Sequence, residues 1–374
     1  MRISVPKETR PGEKRVALVP DIISKLTRAG LEVVIESGAG VDAQFSDAQF
    51  TAAGAIVRSG NVISDSDIVA SIQPLTPDQM KSLKKGTITI SFLSPTTAVD
   101  SIEAAASAGA TALSLELVPR ISRAQSMDAL TSQALCAGYR ATLAAAELSP
   151  RFFPLLMTAA GTVTPANVVI LGAGVAGLQA IATAKRLGAV VSAYDVRPAS
   201  ADEVKSMGAK FITLELEALE GTGGYAREMT EDRAAKQREL LSPYIAAADV
   251  LITTAAVPGR PAPRLVTADM VSKMQAGSVV VDLASESGGN VEGSVAGEII
   301  TTSNGVKMWG GKDVPSQLPY HASMLFSRNV VNLLMLMVKK EGETTTVVPD
   351  FSDEIIDASC VTHAGSRRSP EGKK

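Results

Sequence analysis

Residues 167–198 read NVVILGAGVAGLQAIATAKRLGAVVSAYDVRP, and this stretch decides the fold. An apolar run, Val168 to Leu171, leads into Gly172-Ala173-Gly174-Val175-Ala176-Gly177. A helical pattern follows from Leu178 to Leu187, closed by Gly188, and a second apolar run, Ala189 to Tyr194, ends in Asp195. The order is strand, glycine turn, helix, strand, acid. Gly172 permits the tight turn, Gly174 lets backbone approach a pyrophosphate, and Gly177 lets helix pack on strand. The helix N-terminus faces the phosphates with its positive end. Asp195 lies 18 residues past Gly177. A carboxylate there accepts both hydroxyls of an adenosine ribose and meets a 2′-phosphate with like charge, so the pattern predicts NAD(H) over NADP(H). A lone GxGxxG is weak evidence, but with flanking strands, the helix and the acid at the right distance it is specific.

The rest of the chain fits that reading. Its 374 residues predict two domains rather than one. A hydrophobic content of 45%, with 20% charged residues, describes a globular protein with ample core. The formal net charge of −3 gives no basic face and argues against nucleic acid as a partner. Cys136 and Cys360 provide neither a disulfide framework nor a metal cluster, as in a reducing compartment. The start MRISVPKETR turns polar after one short strand and is no signal peptide. The longest apolar stretch, Val330 to Val338, falls well short of a bilayer span.

From Met1 to about Ser114, apolar runs alternate with amphipathic segments. Ile3–Val5, Glu32–Glu36, Ile68–Ile72 and Thr87–Phe92 read as strands, and Pro20–Arg28, Pro77–Leu83 and Ser101–Ala108 as helices. This alternation predicts βαβ units and a parallel sheet. The first turn, Pro6 to Gly12, lacks the glycine fingerprint and is not expected to hold dinucleotide phosphates. A polar loop, Pro119 to Gln133, precedes a long alanine-rich helix over about Met127–Leu148, read as the arm between domains. A second long helix, Ser323 to Val338, is expected to return to the first domain beside that arm. The prediction is α/β, with two doubly wound Rossmann-like domains joined by long helices. Residues 1–126 with 315–374 form the first, 127–148 the linking helix, and 149–314 the NAD(H)-binding domain. In the tail, Thr346–Val348 and Ile355–Val361 read as short docking strands, and the last ten residues as disordered.

Chemistry-bearing residues are few. Most nicotinamide dehydrogenases need a base to take a proton, commonly His or Lys. This chain has two histidines: His363 in the polar tail, read as solvated, and His321 before a helix, read as a packing residue. A hydride passed directly between two nicotinamides carries no proton and needs no such base. The loop Arg120 to Asp128 is the densest polar set near the expected C-terminal sheet edge. Arg120 and Arg123 can donate to phosphate or carboxylate, Asp128 can pair with one of them, and Gln125 suits a carboxamide or ribose hydroxyl. On composition alone, a solvated hinge loop is an equal reading. Residues 215–232, rich in acids around Gly221–Tyr225, read as an exposed surface loop, with a lid carrying Tyr225 over nucleotide as the functional alternative.

The segments PKETRPGEKRVALVP, RISRAQSMD, MTAAGTV, LGAGVAGLQAIATAKRLGA and DLASESGGN resemble the alanine dehydrogenase and pyridine nucleotide transhydrogenase family. RISRAQSMD, GGYAREM and TTAAVPGRPAP resemble the transhydrogenase branch, specifically its NAD(H)-binding component, from Met1 to about Val338. That resemblance implies a homodimer that docks with an NADP(H)-binding component and a proton-conducting membrane component. Hydride passes from NADH to NADP+, coupled to proton translocation. The chain is then a separate cytoplasmic subunit, peripheral to the inner membrane through its partners.

Residue by residue, the resemblance implies that Arg120, Ile121, Ser122, Arg123, Gln125, Ser126, Met127 and Asp128 form the loop at the nicotinamide end. Gln125 positions nicotinamide and ribose while Asp128 braces Arg120, which makes these three the catalytic set. Thr131 and Tyr139 lie near the nicotinamide pocket. Gly172, Gly174, Val175 and Gly177, with Asp195, Val196 and Arg197, contact pyrophosphate and adenosine. Gly224 and Tyr225 belong to a mobile loop, Gln237 follows on a helix, and Ala256 contributes backbone at a strand end. The rival within the family is an alanine dehydrogenase, since Arg15 matches its carboxylate-binding arginine. The lysine expected near Ile72-Gln73-Pro74 and the histidine expected around Phe92–Ser94 are absent, and the catalytic aspartate position holds Glu286. An NAD-sensing module without turnover is the alternative from another class.

Overall fold

The structure is a computed structural model that describes residues 1–216, 230–256, 259–342 and 344–368. The chain divides into two compact units, Met1–Gln133 with Pro315–Lys374, and Ala134–Val314. Both are doubly wound α/β units with parallel sheets, the fold class expected.

The first unit starts with six parallel strands: β1 (Arg2–Val5), β2 (Glu32–Glu36), β3 (Ile56–Arg58), β4 (Ile68–Ala70), β5 (Ile88–Ser91) and β6 (Thr111–Ser114). Their spatial order is β3-β2-β1-β4-β5-β6, so the winding reverses between β1 and β4. Because strand side chains alternate between faces, Val33 and Ile35 enter one core while Val34 enters the other. Four helices cross over: α1 (Pro20–Arg28), α2 (Asp47–Ala52), α3 (Pro77–Lys81) and α4 (Val99–Ser107). α1 shows why such segments are helical. Pro20 stands in the first turn, where a missing N–H costs nothing, Asp21 faces the positive end, and Lys25 and Arg28 face the negative end. Ile23 and Leu26 bury its apolar stripe. A helix, α5 (Ala129–Leu148), then crosses the boundary between the units in sequence.

After α5, the second unit has an antiparallel hairpin, β7 (Leu156–Thr158) and β8 (Gly161–Val163), which is not among the strands expected from the sequence. Its main sheet comprises β9 (Asn167–Leu171), β10 (Val190–Tyr194), β11 (Lys210–Phe211), β12 (Val250–Thr253), β13 (Val279–Asp282), an antiparallel edge strand β14 (Ile299–Thr301) and β15 (Lys307–Gly310). The order β11-β10-β9-β12-β13-β15-β14 reverses between β9 and β12. The helices are α6 (Val175–Arg186), α7 (Ser200–Ser206), α8 (Glu231–Ala246) and α9 (Ala268–Ser272). α5 meets α6 at Gly138, where an added Cβ would lie 2.0 Å from the Ala176 carbonyl oxygen. One turn on, Thr142 Oγ1 lies 3.2 Å from the Ala180 carbonyl oxygen. Small residues therefore let the two backbones close up.

The chain returns to the first unit in α10 (Pro319–Met335), which begins at Pro319 rather than at Ser323 and stops before Val338. Val338 instead opens β16 (Val338–Glu341), antiparallel to β17 (Thr344–Val347). α10 buries Phe326, Val330, Val331, Leu333 and Leu334 in the sheet core. Its serines serve the irregular segment 14–19: Ser323 accepts from the Val16 N–H at 3.0 Å and Ser327 from the Val19 N–H at 3.3 Å. Those N–H groups have no strand partner, so the hydroxyls remove the cost of burying them.

The tail corrects three expectations. Ile355–Val361 is not one strand: Asp353 caps α11 (Glu354–Ser359), and β18 (Cys360–His363) then pairs antiparallel with β6. Of the last ten residues, Ser366–Arg367 forms β19 against β18 rather than being disordered, and residues 369–374 lie outside the described residues. His363 is not simply solvated. It is half-buried, with Nδ1 2.9 Å from Thr111 Oγ1 and its ring edge-on to Phe351. His321, expected to pack, is exposed at the start of α10 and touches Tyr320. Among the described residues, no helix is long and apolar enough to cross a membrane.

Candidate nucleotide-binding site

The glycine turn lies at the C-terminal end of β9, where the order of the second sheet reverses, the crevice that open α/β sheets use for ligands. Its three glycines do three different things. Gly172 has φ +100°, and an added Cβ would lie 2.7 Å from Thr254 Oγ1. Gly177 meets the Gly172 carbonyl oxygen, 1.9 Å from an added Cβ, so α6 can lie this close to β9 only without a side chain. Gly174, the N-cap of α6, faces open space, with nothing within 4 Å of an added Cβ. The turn thus leaves a clear approach in front of the first N–H groups of α6, including that of Val175, which have no partner within the helix. These residues fit a dinucleotide pyrophosphate.

Asp195 follows β10 and is nearly buried, at 8% side-chain exposure. Its Oδ2 accepts from the Ala173 N–H at 2.7 Å, which ties the acid to the glycine turn. Arg197 also engages it: the Arg197 N–H and Nε donate to Oδ1, each at 2.9 Å, and Nη2 donates to Oδ2 at 2.9 Å. The bond to Asp195 raises the Arg197 pKa above its ordinary value, against the opposing effect of burial. The expectation that an isolated negative charge meets the ribose is therefore modified. The acid is already paired with a cation. Val196 between them is partly buried against the core.

Two residues that the sequence patterns do not single out shape the floor of this crevice. Thr254 Oγ1 donates to the Gly172 carbonyl oxygen at 3.0 Å. Asn290, fully buried, receives the Ala255 N–H at 3.0 Å and donates to the carbonyl oxygens of Ala255 and Pro263, each at 2.8 Å. It fixes the strand exit that ends in exposed Ala256. The signal available was the Asn of SGGN, whose Gly289 has positive φ. Gln237, expected at the nucleotide, is 2% exposed and accepts from the Tyr194 hydroxyl at 3.3 Å, a packing role inside the unit. Burial pushes that Tyr194 hydroxyl up to about 12, with the Asp195 charge adding to it against the nearby Arg233. Tyr139 is 40% exposed on α5. Gly224 and Tyr225 lie outside the described residues.

In the first unit, the expected loop is two turns of 3-10 helix, Ser122–Met127. With three residues per turn, positions three apart share a face. Ile121, Ala124 and Met127 accordingly turn into the core, while Ser122, Arg123, Gln125 and Ser126 are exposed, as is the preceding Arg120. Asp128 has both carboxylate oxygens on Thr131, from N–H at 2.8 Å and from Oγ1 at 2.6 Å. It is the N-cap of α5. Arg123 finds its partner elsewhere, in Asp353 at 2.8 and 2.9 Å, with Glu354 at 3.5 Å.

Arg15 is buried and committed. Its Nε and Nη2 donate to Glu13 at 2.8 and 2.6 Å, and its Nη1 to Gln133 at 2.8 Å. Gln73, in the segment Ile72-Gln73-Pro74 where the resemblance led a lysine to be expected, donates its amide to the same Glu13 at 2.7 Å. Glu286 accepts from the Asp313 N–H at 2.9 Å.

Two doubly wound units, one with a complete dinucleotide fingerprint, define a Rossmann-type dinucleotide-binding protein. The alanine dehydrogenase/PNT N-terminal domain model matches residues 4–137 and the alanine dehydrogenase/PNT C-terminal domain model residues 141–370. The chain belongs to the alanine dehydrogenase/PNT family. It is 47% identical to an NAD(P) transhydrogenase subunit alpha chain of Rhodospirillum rubrum, over 98% of this chain and 97% of that one. Its fold superposes on the crystal structure of transhydrogenase from Sinorhizobium meliloti with a TM-score of 0.86 and 40% identity, covering 99% of both chains. It is 32% identical to alanine dehydrogenase of Mycobacterium tuberculosis, over 79% of this chain and 75% of that one.

Proposed function

We propose that this chain is the NAD(H)-binding subunit of a proton-translocating transhydrogenase, and that hydride passes directly from NADH to NADP+ held by a partner subunit. The observation that carries this reading is the fate of Arg15. An amino-acid oxidoreductase of this family needs a free cation for the substrate carboxylate, and here both edges of the guanidinium are occupied by Glu13 and Gln133. With Arg15 engaged in this way and only two histidines in the chain, a hydride transfer that carries no proton is the chemistry this reading assigns to the dinucleotide fold.

In this reading, the bound dinucleotide supplies the hydride, and the residues of this chain supply position. Gly172, Gly174, Gly177 and the start of α6 receive the pyrophosphate, and Asp195 with Arg197 receives the adenosine ribose. Gln125, on the outward face of the 3-10 helix, fixes the nicotinamide end, with Arg120 and Ser122 beside it. Asp128 contributes through the helix cap that ends this segment. The partners are an NADP(H)-binding component and a proton-conducting membrane component, with this chain at the cytoplasmic face. A homodimer is supported by the hairpin β7–β8, where Leu155, Met157 and Val163 are exposed together, Met157 at 78%.

Fluorescence titration with NADH and NADPH tests the cofactor assignment. NADH is expected to bind at least about tenfold more tightly, about 1.4 kcal/mol. Equal affinities would remove the assignment.

A further inference from the structure

The 3-10 helix that carries Gln125 is poorly secured by its own backbone, because i to i+3 hydrogen bonds have weak geometry. Ala124 and Met127 fix its depth by burial. Burial of one face sets which side of the helix points outward but leaves its finer rotation to polar contacts, and that rotation decides the reach of Gln125. A polar clamp supplies that constraint. Asn329 and Asn332, one turn apart on α10, both donate their amide N–H to one acceptor, the Ser126 carbonyl oxygen, at 3.0 and 3.1 Å. That carbonyl belongs to the residue directly after Gln125.

Each asparagine is itself held from its other end. Asn329 is 6% exposed, and its Oδ1 lies 2.7 Å from Ser132 Oγ. Ser132 Oγ in turn accepts from Gln133 Nε2 at 3.1 Å, and Gln133 Oε1 receives Arg15. Asn332 Oδ1 accepts from Lys25 Nζ at 3.1 Å. The chain of contacts runs Glu13, Arg15, Gln133, Ser132, Asn329, Ser126. These bonds fix which end of the Asn329 amide is the donor, since its oxygen faces a hydroxyl and its nitrogen a carbonyl.

We propose that Asn329 and Asn332 are positioning residues for hydride transfer. By pinning the Ser126 carbonyl they set the rotation of the 3-10 helix, and with it the reach of Gln125. This rests on the transhydrogenase reading for its catalytic consequence, but not for the clamp itself. Two carbonyl lone pairs receive two donors, so the loss of either asparagine is partly covered by the other. The clamp is therefore non-additive: the double variant loses more than the two single variants combined.

The test uses the full chain reconstituted with the NADP(H) and membrane components. The variants are Asn329→Ala, Asn332→Ala, the double, and Asn329→Ala with Asn332→Gln, which restores an amide donor. Backbone hydrogen exchange over residues 122–128, hydride-transfer rate, NADH affinity and melting temperature are measured. The double variant is expected to exchange faster in this segment and to transfer hydride on the order of tenfold more slowly, with NADH affinity within about twofold. The glutamine variant recovers much of the rate. Unchanged exchange and rate in the double variant would overturn the clamp. So would a parallel fall in rate, affinity and melting temperature with no recovery by glutamine, which marks a purely structural role. If the wild-type complex transfers no hydride, the transhydrogenase reading fails, and exchange alone decides whether the clamp exists.

Discussion

Arg15 and Glu13 form a two-pronged ion pair with no side-chain exposure on the glutamate and 5% on the arginine. Burial alone would raise the Glu13 pKa, but the hydrogen bond and charge of Arg15 hold it down at about 2, with Gln73 adding a further bond. Breaking such a pair leaves an uncompensated buried charge. Arg15→Met is expected to destabilise the protein by about 3–5 kcal/mol, measured by urea unfolding. Adding Glu13→Leu should recover only part, because the Gln73 amide and Ser316 hydroxyl then lose their acceptor. The wild-type chain should show no alanine-dependent NADH production. A near-neutral Arg15→Met, or measurable deamination, would return Arg15 to a substrate role.

The neighbouring Glu8 has the opposite electrostatics. Burial pushes its carboxyl up to about 8 against the pull of the Ile72 N–H, and the Glu13 charge raises it further. A raised carboxyl pKa means the folded state keeps its proton longer than the unfolded state. Stability then falls as pH rises from about 4.5 to about 8. Glu13, with its pKa lowered, contributes stability that is lost as pH falls from about 4.5 toward about 2. Glu8→Gln should flatten the alkaline limb of the melting temperature between about pH 4.5 and about pH 8 and leave the acid limb in place. An unchanged alkaline limb would reject this assignment.

The glycine turn separates folding from binding in two single substitutions. Gly177→Ala places a methyl 1.9 Å from the Gly172 carbonyl oxygen, both of them backbone constraints, and should unfold or strongly destabilise the second unit. Gly174 has φ −76° and open space, so Gly174→Ala should melt near the wild-type temperature. The added methyl enters the approach to the α6 N–H groups, and NADH affinity should fall about tenfold or more, at least about 1.4 kcal/mol. An intact affinity in Gly174→Ala would move the pyrophosphate away from this turn.

Local patterns were the legible part of this chain. Glu32–Glu36 and Pro20–Arg28 are a strand and a helix with the bounds their residues suggest. The glycine turn was readable because each glycine answers a separate steric demand. The helix Asp47–Ala52 carries a signal too, the capping box of Ser46 and Gln49, but it is too short to show an apolar period. The 3-10 segment hid behind polar composition, and its inward residues at 121, 124 and 127 follow a period of three that neither helix nor strand templates seek. What no local pattern shows is long-range pairing: Asp353 taking Arg123 across 230 residues, or Asn329 reaching Ser126 across 203. Asp128 carries a second role that its neighbours in sequence do not show, because its oxygens also cap a helix at Thr131.

If hydride moves directly between nicotinamides, as proposed, Gln125 acts by position alone. Gln125 is exposed on the outward face of its helix and offers no useful proton, and Gln125→Asn keeps the amide but shortens its reach by one methylene. The decisive measurement is stopped-flow transfer from C4-deuterated NADH to an NADP+ analogue in the reconstituted complex, for wild type and Gln125→Asn, alongside equilibrium NADH binding. The account predicts that deuterium reaches the analogue without loss to water, and that Gln125→Asn slows transfer on the order of tenfold with little change in affinity. Deuterium lost to solvent, or a Gln125→Asn protein whose rate and affinity fall together, would contradict it.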